Sequence, residues 1–238
     1  MAKSKTKSRS PTDTKKSDVS SQVKSDGKPD DETNYKAIAT SLKNKHPLQN
    51  KWTFWYLNGD RSKDWEDCLK EVVTIETIED FWSVYKKILL PSSLLFGSDY
   101  YLFREGIKPM WEDPQNVKGG RWFTVVDKHY RSVRLDELWL KLMMAVIGEQ
   151  FDNQSKFICG AAVNLRQKGD KVALWTTDSS ADKVNRRIGL AFKAKLNIVH
   201  ESIRYEVHRD ASARTGSIIK PKFVITQRSS DDDEEIIL

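Results

Sequence analysis

A chain of 238 residues with 38% hydrophobic and 31% charged side chains can hold one large domain or two small ones, and none of its apolar runs approaches the length of a membrane span. The formal charge of +6 permits contact with nucleic acid but does not argue for a broad phosphate-binding surface. The only cysteines, Cys68 and Cys159, lie far apart without metal-ligand spacing and read as free thiols in a reducing compartment.

The charge is unevenly placed. Residues 1–45 hold eleven Lys or Arg against six Asp or Glu, with many Ser and Thr, and cannot bury enough apolar surface to offset their ordering entropy. They are expected to be a disordered basic tail. Residues 227–238 carry the acidic run Asp231 to Glu235 and read as a second tail. The remainder, 46–226, has the length of a single domain. The N-terminus has no apolar signal-peptide segment. A soluble, cytoplasmic protein is expected, and the Lys-Ser-rich start reads either as a solvated tail or as a nuclear signal.

In chain order, the aromatics from Leu48 to Leu57 favour a strand, which Asn58-Gly59-Asp60 breaks. Trp65 then stands alone among charges, a setting in which an indole is either half-buried or given over to a ligand. A second strand holds Val72, Val73 and Ile75. Thr77-x-x-Asp80 is a variant capping box opening a helix with Phe81, Trp82 and Tyr85 on its stripe, stopped by Pro91. A strand is predicted over Asp99 to Arg104.

The stretch from Pro109 to Trp122 carries the most chemistry. An indole can stack on a flat cationic ring, and a carboxylate beside it can accept two parallel N–H bonds from a guanine edge. Trp111 and Glu112 together therefore describe a reader of N7-methylated guanine. Taken by itself, the pair reads more readily as a core Trp next to a solvated Glu, so the rest of the chain has to decide. Gly119-Gly120 is expected to turn the backbone before a strand over Arg121 to Val126.

A helix over about 134–148 shows one face of Leu135, Leu138, Trp139, Leu142 and Val146 and a second of Leu140, Met143, Met144 and Ile147. The surplus face points either to another helix or to an outside protein. Phe157 to Arg166 and Lys171 to Thr177 read as a hairpin, with Arg166 and Lys168 on one side as a phosphate clamp or as ordinary surface cations. Trp175 lies on its second strand. A third helix follows the capping candidates Asp178, Ser179 and Ser180. Strands near Ile203 to Val207 and Phe223 to Ile225 complete a largely antiparallel sheet.

His46-Pro47-Leu48-Gln49-Asn50, Trp52, Trp55, Trp65, Glu79-Asp80-Phe81-Trp82, Pro109-Met110-Trp111-Glu112-Asp113, Gly119-Gly120-Arg121-Trp122, Ile147-Gly148-Glu149, Asn164 to Lys171 and Trp175-Thr176-Thr177 fit one pattern. In this order and spacing, residues 46–226 resemble the eukaryotic translation initiation factor 4E family, which binds the messenger RNA cap. The resemblance implies an α+β fold, a single curved antiparallel sheet of about eight strands with three long helices on its convex face.

It also implies a cap site. Trp65 and Trp111 would stack on the base, Glu112 would read the guanine edge, and Trp175 would touch the N7 methyl. Arg121, Arg166, Lys168 and Lys171 would hold the phosphates. An initiation scaffold protein and inhibitory proteins, each carrying a helical Tyr/Leu motif, would dock on His46, Pro47, Ile78, Trp82, Leu140, Met144 and Ile147. Ser217 falls at the family's phosphorylated position. Lys141 departs from the acidic residue the family commonly has there. No cofactor, metal or membrane is implied, and a monomer is expected. The alternatives are a repressor or storage protein that reads caps without productive scaffold binding, one that also accepts trimethylguanosine, a cap-modifying enzyme, and a methyl-lysine cage. The four histidines show no catalytic grouping, and Arg166 and Lys168 disfavour a cationic peptide.

Overall fold

The computed structural model describes residues 36, 45–60, 62, 64–212 and 220–226. The chain separates into two units, 1–44 and 45–238, and the second carries everything below. Ser217 and nearly all of both expected tails lie outside the described residues.

Eight strands form one antiparallel sheet: β1 (Pro47–Leu57), β2 (Leu69–Thr77), β3 (Asp99–Arg104), β4 (Gly120–Val126), β5 (Ile158–Asn164), β6 (Asp170–Thr176), β7 (Ile203–Val207) and β8 (Phe223–Ile225). Their order is β2-β1-β3-β5-β6-β4-β7-β8. Among the residues from 45 onward that are described, the α-helices are α1 (Trp65–Cys68), α2 (Ile78–Tyr85), α3 (Asp136–Ile147), α4 (Asp182–Lys195) and α5 (His208–Ser212). No helix of the described residues is long and apolar enough to cross a membrane.

The period-2 alternation of each strand sorts its side chains onto two faces. Tyr100, Leu102, Trp122, Val163, Val172 and Leu174 point to one side and join Phe81, Leu138, Trp139, Leu142, Ile188 and Phe192 from the helices in the main core. Each such side chain, when fully buried, contributes roughly 1.5–3 kcal/mol. Tyr101, Phe103, Phe123, Ala162, Ala173 and Trp175 point to the other side and form a smaller cluster without a long helix over it. The longer helices therefore cover one face, and the other carries only the short α1 and α5.

Three expectations need correction. The first helix ends at Tyr85 rather than near Leu90, so it spans barely two turns, and Ile78 and Trp82 stay about two-fifths exposed. Thr77 does cap it, accepting from the Asp80 N–H at 3.1 Å. The surplus face of α3 is smaller than its apolar content implies. Met143 and Ile147 are buried in the chain's own core, and only Leu140 and Met144 remain outward. Asp178 does not cap α4. It accepts from the N–H and hydroxyl of Ser180 in a local turn, and Ala181 begins the helix without a side-chain cap.

Candidate functional site

A cavity of about 170 Å³ opens on the face without a long helix. Its floor comes from four strands that are neighbours in the sheet and from the residue that follows a fifth. Asp99 and Tyr101 come from β3, Asn164 from the end of β5, Trp175 from β6 and Arg121 from β4, and His208 opens α5 directly after β7. Trp65 and Trp111 reach the same cavity from two different connections, β1 to β2 and β3 to β4. Both indoles are 39% exposed, in a protein that buries Trp52, Trp122 and Trp139 completely. Two large apolar rings held half in water on opposite loops are costly unless something flat fills the space they share.

The loop that carries Trp111 is held from within. Asn116, fully buried, donates its side-chain N–H groups to the carbonyls of Lys108 (2.8 Å) and Met110 (2.7 Å). Asp113 accepts from the N–H of Lys108 and of Gln115, each at 2.9 Å. Trp111 and Glu112 project from this frame, and Glu112 is exposed with no hydrogen-bond or ionic partner. Gly119 and Gly120 serve close approach rather than a turn. A Cβ on Gly119 would lie 1.9 Å from the Thr176 carbonyl oxygen, and one on Gly120 would lie 2.5 Å from that of Glu206.

Trp175 packs edge-on against Phe103 and lies 4.1 Å from the His208 ring at 41°. Burial, and then the nearby Arg121 charge, push the His208 pKa down to about 3, so the imidazole is neutral. Each rim guanidinium already has a carboxylate. Arg166 is paired with buried Asp99 at 2.5 and 2.9 Å, and Asp99 also accepts from the Tyr101 hydroxyl at 2.8 Å. Arg121 meets Glu206 at 3.1 Å. Arg121 Nε, Trp175 Nε1 and His208 Nε2 are buried without a partner, and all three belong to residues that line this cavity. Such orphaned groups are what a bound polar ligand or water would satisfy.

Trp65, Trp111, Trp175, Arg121 and Arg166 are thus brought together, whereas Glu112, Lys168 and Lys171 do not line the cavity. Arg166 and Lys168 lie in the loop after β5 rather than on a strand, so alternation does not set their sides. Lys168 is exposed without a partner, and the Lys171 ammonium lies 4.6 Å from the Phe123 ring centre. Asp99, Tyr101, Asn164 and His208 are the lining groups that sequence reasoning missed. Cys68 and Cys159 are buried free thiols, and burial raises the Cys159 pKa to about 12. Among the described residues no three of His, Cys, Asp and Glu converge as metal ligands.

On the helix face, the His46 carbonyl accepts from Ile78 N–H at 2.9 Å, and Pro47 pairs with Thr77, so His46, Pro47 and Ile78 form one outcrop. Hydrogen bonds from the His46 ring and backbone N–H pull the Glu79 carboxyl down to a pKa of about 2. Lys141 is paired with Glu137 one turn earlier, at 2.5 Å.

The family model for eukaryotic initiation factor 4E matches residues 47–222. The chain belongs to that family. Its fold superposes on Ascaris suum eIF4E-3 in complex with the m2,2,7G cap, with a TM-score of 0.72, 62% identity, and coverage of 76% of this chain and 99% of that one. The Ascaris protein with the m7G cap matches with a TM-score of 0.72 at 61% identity, covering 78% and 100% of the two chains. C. elegans eIF4E-3, in complex with the 4E-binding protein Mextli and a cap analog, matches with a TM-score of 0.71 at 56% identity, covering 76% and 100%. Translation initiation factors of this family therefore share both the single antiparallel sheet and its helix-covered side with this chain.

Proposed function

We propose that this chain binds the 7-methylguanosine cap of messenger RNA and brings the message to the translation machinery through a scaffold protein on its helix face. The observation that carries the reading is the pair of half-exposed indoles, Trp65 and Trp111, on separate connections of one cavity. A methyl group at N7 makes guanine cationic, and each indole face then contributes on the order of 2 kcal/mol when desolvated. Glu112 stands next to Trp111, and as a carboxylate it suits N1–H and N2–H of the base. Each such charge-assisted bond adds roughly 1.5–3 kcal/mol. These gains must exceed an association cost of some 4–15 kcal/mol, so losing the positive charge alone removes much of the margin.

A cavity of about 170 Å³ suits one base rather than a whole dinucleotide. The phosphates would leave it past Arg166 and Arg121 toward Lys168 and Lys171. No step of bond making or breaking belongs to this reading, and the protein acts as a reader rather than an enzyme. The cytoplasm, where messages are translated, is its place of work, and the basic N-terminal segment would serve any nuclear entry.

A second specificity is favoured by one observation. Trp65 also borders a separate cavity of about 350 Å³, lined by Leu57, Asn58, Cys68 and Gly97 among others. The indole therefore has room behind it to make space for the two extra methyl groups of a trimethylguanosine cap, the ligand seen with the Ascaris relative.

Docking of a Tyr/Leu helical motif would use Trp82 and Ile78 with Leu140 and Met144, while buried Ile147 would contribute least. Ser217 is the proposed phosphate acceptor. Retention of the full chain on an m7GTP resin, with elution by m7GTP but not by GTP, tests the reading. Co-retention of the scaffold protein from translation extract separates an initiation factor from a storage protein.

A further inference from the structure

Beneath the proposed phosphate clamp lies an ion pair that cap reading does not itself require. Asp170 opens β6 with no exposed side-chain surface. Its Oδ1 accepts from the Arg166 backbone N–H at 3.0 Å, closing from within the loop that joins β5 to β6. Gly169 completes that loop at φ +129°, a conformation open to glycine. From outside, Arg131 sets a two-pronged fork on the same carboxylate. Nε donates to Oδ2 at 2.5 Å and Nη2 to Oδ1 at 2.6 Å. Arg131 is only 13% exposed, and its guanidinium lies 4.3 Å from the centre of the Phe96 ring.

The chemistry of the pair is directional. A buried carboxylate is tolerated only beside a cation, and arginine supplies both the charge and a fixed plane. Locking Asp170 locks the Arg166 backbone, because one oxygen serves both donors. The Arg166 guanidinium reaches the cavity from that loop, and Lys168 stands on it as an exposed ammonium without a partner. Arg131 itself does not line the cavity. It belongs to the π-helical turn Arg131–Leu135 that leads into α3.

We propose that Arg131 is a positioning residue for the phosphate clamp: its fork on Asp170 sets the loop that aims Arg166 and Lys168 at the cap triphosphate. The proposal rests on the cap reading above and deepens it. A merely structural role would loosen the whole site and weaken every ligand alike. A positioning role weakens only the phosphate share of binding.

The test is tryptophan-fluorescence titration of the full chain with m7GTP and with 7-methylguanosine, which has no phosphate. Arg131→Lys keeps a positive charge beside Asp170 and loses the fork. It is expected to weaken m7GTP binding about tenfold, or 1.4 kcal/mol, while leaving 7-methylguanosine within about twofold. Arg131→Met should show a larger selective loss, and if it does not fold, the lysine variant decides. Arg134→Met, which breaks the nearby pair with Glu201, should leave both affinities unchanged. Equal losses for the two ligands, or an unchanged m7GTP affinity, would overturn the proposal. A wild-type chain that binds neither ligand would instead remove the cap reading on which it stands.

Discussion

At the scale of single residues, His208 and Trp175 show how the floor of the cavity keeps its charge low. The imidazole is 4% exposed and lies against the indole, and the Arg121 charge acts on it. A protonated ring there would oppose a cationic base, and burial prevents it. The same shift makes an acid-stability prediction. The folded pKa of about 3 lies below the ordinary 6.5, so the unfolded chain takes up a proton that the folded chain refuses. Stability from this group is therefore intact above pH 6.5 and is lost progressively as pH falls toward 3. Urea unfolding of His208→Gln between pH 6.5 and 4 should show a shallower acid loss than the wild type, and equal slopes would contradict the assignment. Glu112 makes a second prediction. With a free carboxylate beside Trp111, Glu112→Gln should weaken m7GTP about tenfold or more by loss of charge-assisted bonds, without changing thermal stability. Calorimetry showing unchanged affinity would remove it from the guanine edge.

At the scale of elements, residue chemistry made some parts legible in advance and strand register hid others. Trp111 and Glu112 become legible only through the family pattern, because the pair alone reads more readily as a core Trp beside a solvated Glu. The Thr77 cap and the β5–β6 hairpin follow from local rules that the folded chain obeys. Asp99, Asn164 and His208 reach the cavity only because β3, β5, β6, β4 and β7 lie side by side, an order that no local pattern encodes. The apolar excess of α3 was over-read for a related reason. Helical periodicity cannot say how wide a neighbouring sheet is, and Met143 and Ile147 are taken up by it. What stays outside defines the docking prediction. Trp82→Ala should abolish binding of a 4E-binding-protein peptide, read by isothermal calorimetry, while m7GTP affinity stays within about twofold, since truncating a central aromatic anchor often costs 2 kcal/mol or more. Loss of both activities together would mean that the two faces are not independent.

For the molecule as a whole, one sheet separates two kinds of recognition. The helix face carries the core and the exposed apolar side chains proposed for docking, and the open face carries a small cavity whose rim cations are anchored to buried carboxylates. Anchoring fixes the guanidiniums before a ligand arrives, which lowers the ordering cost of binding. On the proposed reading, phosphates would share those cations rather than meet them bare. The salt dependence of m7GTP binding should accordingly be present but modest, and that of 7-methylguanosine close to flat. Titrations from 50 to 300 mM KCl check this, and equal slopes for the two ligands would place the phosphates elsewhere.

The central claim is that two indoles hold a cationic purine between them. Its most direct measurement is quenching of tryptophan emission in the full chain by m7GTP and by GTP, repeated with Trp65→Ala and Trp111→Ala. The account predicts saturable quenching by m7GTP, binding of GTP weaker by about a hundredfold or more once the ring charge is gone, and loss of tight m7GTP binding in each variant. Equal affinity for the two nucleotides, or full affinity after removal of either indole, would contradict it.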